Sequence, residues 1–251
     1  WCCLMIHLKR ASKPAYLTLD KVTELTKEFK EHGTSVWNHD DIKIPLLDSS
    51  YKKCAYCECL LDEESKYMEV EHFEDKKHNP DKVVEWDNLL PSCKKCNGAK
   101  HTHDVAHEPI VNPYVDISKE HLGLRLYRLR GISQKGINSI LVNNLNDTKR
   151  MVSVRFDIGE KIHEVLLVAH DQLESYLSKK TTVWRNKLLN TILSLLNECL
   201  PQAEYSAISA TVTLTDSKFL EIKASMETES LWNEDLEEKF QIASQIQLHY
   251  L

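Results

Sequence analysis

Glycine and proline are scarce in this sequence, 6 and 7 of 251 residues. With 42% hydrophobic and 28% charged residues, the composition is that of a soluble globular protein. Internal repeats and low-complexity tracts are absent. No apolar run approaches the roughly 20 residues that a bilayer-spanning helix needs, so no membrane segment is expected. The opening WCCLMIHLKR lacks a basic stretch followed by an apolar one, and no signal peptide is read there. The chain starts with Trp rather than Met, and Met5 is a candidate natural start. An excess of basic residues is also missing. The net charge of −6 sits badly with a chain that grips a polyanion unaided.

The charge is unevenly spread. Residues 1–50 carry 7 basic and 7 acidic side chains, and residues 51–104 carry 9 and 12. Residues 105–156 carry 8 and 4, whereas residues 157–251 carry 8 and 15. Only the third block is basic, and most of the arginines fall within it. A polyanion would find a footprint there and little elsewhere.

The pattern along the chain is mainly helical. TLDKVTELTKEFKEHG places Val22, Leu25 and Phe29 on one helix face, with Gly33 as a C-terminal cap. A polar connector containing Pro45 follows. KYMEVEHF, residues 66–73, alternates apolar and charged side chains and predicts a short strand. Ser92 is placed to cap a helix running from Cys93 through His101. HLGLRLYRLRG reads as a strand, and GINSILVNNLND carries Ile137, Ile140, Leu141 and Leu145 at helical spacing. Ile162, Val165, Leu166 and Leu173 mark one long helix. Leu188, Leu189, Ile192, Leu195 and Leu196 mark another, which ends before Pro201. Shorter pieces lead to a capped final helix in NEDLEEKFQIASQIQL. The expected fold class is α+β, mostly helical, with a small β-containing metal unit near the front. Four segments are drawn: a helical one over residues 5–50, the metal unit over 51–110, a basic connection over 111–156, and an acidic helical region over 157–251.

Eight cysteines would suit a secreted disulfide scaffold, but a chain this long can bury a core without staples. Four of them form two C-x-x-C pairs, Cys54 with Cys57 and Cys93 with Cys96, which suits metal and a reducing compartment. Two residues between cysteines let both thiolates of a tight turn face one ion, and two such turns complete a tetrahedral zinc site. A redox dithiol would need only one pair and a thioredoxin-like context that is missing. Cys59 reads as a packed thiol, Cys199 as a buried one, and Cys2 and Cys3 belong to the doubtful start.

Within these pairs lie Glu71-His72, then Asn88, then Asn97 directly after Cys96. This order resembles the HNH endonucleases, members of the ββα-metal nucleases, over residues 54–101. The resemblance implies a zinc-stapled ββα unit embedded in the helical chain, which clamps a single catalytic metal, magnesium or manganese. A neutral imidazole suits the task of a general base near pH 7, and His72 takes that role. A hard cation prefers oxygen ligands, and Glu71 and Asn97 offer a carboxylate and an amide. By resemblance Asn88 accepts the other ring proton of His72. Glu71 is one methylene longer than the family's usual Asp, and Asn97 stands where many members have His, which leaves His101 as a further candidate ligand. His103 and His107 read as a solvated helix end, Lys94 and Lys95 as solvent-facing, and Lys100 as a phosphate contact.

The flanks widen the match. MIHLKRASKP, CAYCE, VEHF, WDNLLPSC with CNGAKH, NPYVD, and NNLND with Arg150 resemble the HNH subunits of the Septu anti-phage systems and their retron-linked relatives, over about residues 5–155. This implies a bacterial cytoplasmic effector that cuts nucleic acid beside an ABC-type ATPase of the PtuA kind. Arg125, Arg128 and Arg130 in RLYRLR are candidate phosphate contacts, with Tyr127 beside them. DNA is the favoured substrate, RNA such as tRNA a rival of the same chemistry, and a zinc-stapled assembly module without catalysis the reading from another class.

Overall fold

The computed structural model describes residues 7–61 and 67–251, so Cys2, Cys3, Met5 and the first residue of the expected strand, Lys66, lie outside the described residues. The chain is mostly helical and divides into two compact units. Of the described residues, one unit comprises 7–61, 67–121 and 130–145, the other 122–129 and 146–251.

The first unit starts with helix α1, Leu19–His32, bounded by a Thr18 cap and by the expected Gly33. The Thr18 side chain accepts from Lys21 N at 3.1 Å, and Gly33 closes the helix at φ 69°, a left-handed turn that glycine adopts without strain. The next segment is helical as well. α2 spans Asp40–Ser49 with Pro45 inside it, where the sequence suggested only a connector. Its own packing offsets the missing proline N–H, for Ile42 and Leu46 are fully buried. Strand β1, Met68–His72, pairs antiparallel with β2, Leu89–Cys93, in a register that sets His72 opposite Leu89 and Met68 opposite Cys93. Helix α3, Lys94–Lys100, follows β2 without a loop. Its cap is Cys93 rather than Ser92, because the Cys93 sulfur accepts from Cys96 N at 3.4 Å while Ser92 remains in the strand. β1, β2 and α3 form the ββα unit.

The same unit contains α4, Gln134–Val142. Leu145 is fully buried, but Ile137 and Leu141 are exposed, so half of the apolar spacing read there does not face a core. Gly136 marks a close approach: a Cβ added at this position would lie 1.9 Å from the His121 carbonyl oxygen.

RLYRLR, residues 125–130, is a hairpin rather than one strand, and all of it but Arg130 belongs to the second unit. β3, Leu122–Arg125, and β4, Arg128–Gly131, are joined through Leu126 and Tyr127, both at positive φ (47° and 62°). Two positive φ values give the backbone twist that a two-residue hairpin requires. Tyr127 tolerates it because its ring packs on Gly159 and meets Phe156 edge-on at 5.5 Å. The helices are α5 (Ser153–Lys179), α6 (Thr182–Asn197), α7 (Ser206–Thr215), α8 (Ser217–Thr228) and α9 (Glu234–Ile246). Asn233 caps α9 as its sequence suggests, accepting from Leu236 N at 3.0 Å. A short β5, His249–Tyr250, adds parallel to β3. No helix among the described residues is long and apolar enough to cross a membrane.

Gly136→Ala forces backbone against backbone and should cost about 2 kcal/mol. Gly98→Ala on α3, where an added Cβ meets nothing within 4 Å, should be neutral or stabilising by up to about 1 kcal/mol. Urea unfolding of both variants checks this, and equal midpoints would refute it.

Candidate active site

The sulfur atoms of Cys54, Cys57, Cys93 and Cys96 lie within 4.8 Å of one another, all in buried residues. Zinc–sulfur bonds of about 2.3 Å give a tetrahedron with edges of about 3.8 Å. Cys57 Sγ and Cys93 Sγ are 3.8 Å apart, so the set fits a zinc ion. Hydrogen bonding, first with Cys54, holds the Cys93 thiol well below its usual range and pushes Cys96 up. Four buried thiols cannot all ionise without a counter-charge, which a divalent cation supplies. Cys59 Sγ sits 3.5 Å from Cys57 Sγ outside this cluster, and Cys199 is buried with its sulfur directed to Leu195 O, as expected for packed thiols.

Strand alternation then sorts the acidic residues of β1. Glu69 and Glu71 share one face, and α3 supplies a partner to each. Asn97 Nδ2 donates to Glu69 Oε2 at 2.7 Å. Lys100 Nζ lies 2.7 Å from Glu71 Oε1 and donates to His72 O at 2.8 Å. Lys100 is 2% exposed and Glu71 3%. One expectation needs correction: Lys100 is not a phosphate contact, because its ammonium is sealed against Glu71. Asn97 meets Glu69 and Lys100 meets Glu71, because the seven-residue helix α3 sets positions 97 and 100 over residues two apart on the strand. Glu69 was legible only as one of the charged residues of an alternating strand. Burial raises the Glu71 carboxyl to about 7, against the pull of Lys100. The donor set is still that of a hard cation, carboxylate and amide oxygens on one face, and Asn97 keeps Oδ1 to offer when it donates through Nδ2.

His72 occupies the other face and is 3% exposed. Its Nε2 lies 2.9 Å from the Val83 carbonyl oxygen, which can only accept, so the proton is on Nε2 and Nδ1 carries the lone pair. Burial lowers its pKa to about 4, so the ring is neutral. The expected role of Asn88 is thereby corrected: Val83, not Asn88, takes the ring proton. Asn88 acts one step further back. Its Oδ1 accepts from Glu74 N at 2.7 Å, and its Nδ2 donates to Glu74 O at 3.0 Å and Lys82 O at 3.1 Å. It ties Glu74 to Lys82, the residue directly before Val83.

Arg10, which the sequence did not single out, holds the turn that carries Asn88. Nη1 donates to Trp86 O and Leu89 O at 2.8 Å, and Nη2 to Asp87 O at 3.1 Å. Its guanidinium stacks 3.9 Å from the centroid of Tyr114, the tyrosine of NPYVD. A planar five-donor fork can satisfy three carbonyls at once, which a lysine cannot.

The other expected residues lie elsewhere. His101 caps α3 at φ 48° with its ring exposed and Nδ1 3.1 Å from Thr102 Oγ1. His103 bonds Glu108 O, and His107 is exposed. Lys94 and Lys95 are solvent-facing or close to it. Arg125 and Arg130 are exposed and Arg128 is half-buried. Arg125 and Arg128 belong to the helical unit and Arg130 to the unit with the knuckle.

Comparison with known proteins fits this geometry. An HNH endonuclease family model matches residues 54–103, the span of the sulfur cluster and of His72. The chain is 43% identical over 231 residues to the Septu protein PtuB of Bacillus thuringiensis, covering 91% of this chain and 90% of that protein. The chain belongs to the Septu PtuB family. A second PtuB, from Bacillus mycoides strain KBAB4, is 26% identical over 270 aligned residues, covering 83% and 90%. The expected HNH unit within a mostly helical chain is therefore present in a PtuB homologue.

Cys96→Ser should lower bound zinc from one ion per chain to a small fraction and unfold the ββα unit. Metal analysis with amide exchange on β1 and β2 checks this, and full zinc with unchanged protection would refute the site. Lys100→Met alone leaves Glu71 buried and unpaired and should cost about 3–5 kcal/mol, whereas Glu71→Gln with Lys100→Met together should recover most of it. Additive costs in the double variant would show that the two side chains do not act as a pair.

Proposed function

We propose that this PtuB-family chain is a metal-dependent HNH endonuclease that hydrolyses phosphodiester bonds of nucleic acid, DNA favoured. In this reading it works in the bacterial cytoplasm as the effector subunit beside a PtuA-like ABC-type ATPase. The observation that supports it best is His72, a neutral imidazole fixed in one tautomer by Val83. A base of that kind is what proton abstraction from water demands. Nδ1 takes a proton from a water molecule as its oxygen attacks phosphorus. The bond from phosphorus to the leaving sugar oxygen breaks, and that oxygen takes a proton from solvent. Asn88 and Arg10 act on this step by holding the loop and turn that orient the ring.

Glu71 and Asn97 are the proposed holders of a catalytic magnesium or manganese ion, with Glu71 exchanging the Lys100 ammonium for the cation. Such an ion supplies neutralisation of charge developing on the phosphate oxygens. Arg125, Arg128 and Arg130 stay as proposed phosphate contacts, supported by the exposure of Arg125 and Arg130. The division into residues 5–50, 51–110, 111–156 and 157–251 stays as the proposed division of labour, with the acidic helical region as scaffold or partner surface.

A cleavage assay on plasmid DNA and bulk tRNA, with magnesium and manganese tested separately, checks the reading. Wild type should cut one substrate, and His72→Ala should lose at least about a thousandfold in rate while keeping zinc and fold. Because burial holds His72 near 4, an NMR titration of its ring should find it neutral from about pH 6 upward and protonated only toward pH 4. A midpoint near 6.5, the value of an unperturbed histidine, would contradict the buried imidazole.

A further inference from the structure

The burial of Lys100 removes the expected phosphate contact from the neighbourhood of His72, and another lysine stands in a better place. Lys76 follows His72 by four positions, in the loop after β1, and is exposed. Its Nζ sits 5.1 Å from the centroid of the Trp37 ring. The same ring meets the His72 imidazole edge-on, with centroids 4.6 Å apart and planes at 83°. Phe29 of α1 backs Trp37 at 5.7 Å, so the platform is anchored to a helix. Together the two contacts confine the ammonium to within about 10 Å of the imidazole. Two other lysines are already paired, Lys82 with Glu74 at 2.6 Å and Lys30 with Asp81. Among the described residues no carboxylate lies within 4.0 Å of the Lys76 ammonium. Its charge nevertheless reaches the site, opposing protonation of His72 and favouring the ionised form of Glu71.

We propose that Lys76, held over Trp37, binds a phosphate of the nucleic-acid strand at the cut, beside His72. The inference rests on the nuclease reading of His72 and deepens it by assigning the substrate's anionic backbone a partner. An ammonium resting on an indole ring is pre-placed, so less side-chain freedom is lost when phosphate arrives. The bland alternative is a solvated loop lysine whose charge acts only diffusely. The two differ in one respect: a built contact depends on Trp37, and a diffuse charge does not.

The test uses the zinc-loaded full chain with a labelled short DNA duplex and labelled tRNA. Binding is followed by anisotropy without divalent ions at several salt concentrations, and KM and kcat are measured on whichever substrate wild type cuts. Lys76→Ala should weaken binding about tenfold, raise KM by a similar factor with kcat within about threefold, and flatten the salt dependence by about one counterion. Lys76→Arg should restore most of the binding. Lys77→Ala, the loss of the adjacent exposed cation, should change it by no more than about twofold. Trp37→Leu should lose several-fold in binding although no charge is removed. Binding is the readout for that variant because its ring also touches His72. If Lys76→Ala and Lys77→Ala behave alike, or Trp37→Leu binds as wild type, the proposal falls while the nuclease reading stands. If the wild-type chain neither binds nor cuts either probe, the nuclease reading is lost and this inference with it.

Discussion

Cys93 ends β2, caps α3 and contributes one sulfur to the four-cysteine cluster, and the rest of the site depends on that coincidence. A strand that passes into a helix without a loop has its direction fixed by one residue's geometry. Once the Cys93 sulfur is tied to Cys54 and Cys57 across the sheet, α3 can lie over β1 in only one way. The pairs Asn97–Glu69 and Lys100–Glu71 follow, because i and i+3 on a helix meet i and i+2 on a strand. The metal-type cluster thus determines which polar groups of α3 and β1 face one another.

The two buried titratable neighbours on β1 respond to burial with opposite signs. Glu71, raised to about 7, binds a proton more readily folded than unfolded; its contribution is fully present below about 4.5 and is lost as pH rises toward 7. His72, lowered to about 4, releases its proton on folding, so the native state loses ground as pH falls below about 6.5. Each shift corresponds to about 3 kcal/mol, and between those limits they largely cancel. Alternating faces of one strand can hold a carboxyl and a neutral imidazole side by side with little net pH dependence from the pair.

Much of this was legible in the sequence, for identifiable reasons. The paired C-x-x-C spacing fixes a sulfur cluster whatever surrounds it. Helices α1, α5, α6 and α9 carry their caps or their apolar spacing locally. What escaped was set by contacts distant in sequence. Arg10 reaches residues 86–89 across more than seventy positions, and nothing in KRASKP marks it as a carbonyl clamp. The Val83 carbonyl is invisible to any reading by side-chain type, so the ring proton falls to Asn88 by resemblance alone. Lys100 read as a surface cation because lysines are rarely buried, a rule that fails when a buried carboxylate and a strand carbonyl both need a donor. Pro45 suggested a break, and α2 tolerated it through two buried aliphatic side chains.

A base held near pKa 4 is weak, which is at odds with the role assigned to His72 until the substrate's charge is counted. The low value comes first from burial and then from the positive charges of Lys76 and Lys100, both opposing protonation. An incoming phosphodiester carries a negative charge into that field. Charge of that sign beside an imidazole favours its protonated form, the state reached as the proton leaves water. Under the proposed phosphate contact, the field of Lys76 suppresses protonation while the site is free, and a bound phosphate relieves the suppression. Base strength becomes a property of the loaded site rather than of the free chain. In the proposed nuclease reading, cations set beside the imidazole let an acidic chain act on a polyanion without a broad basic surface.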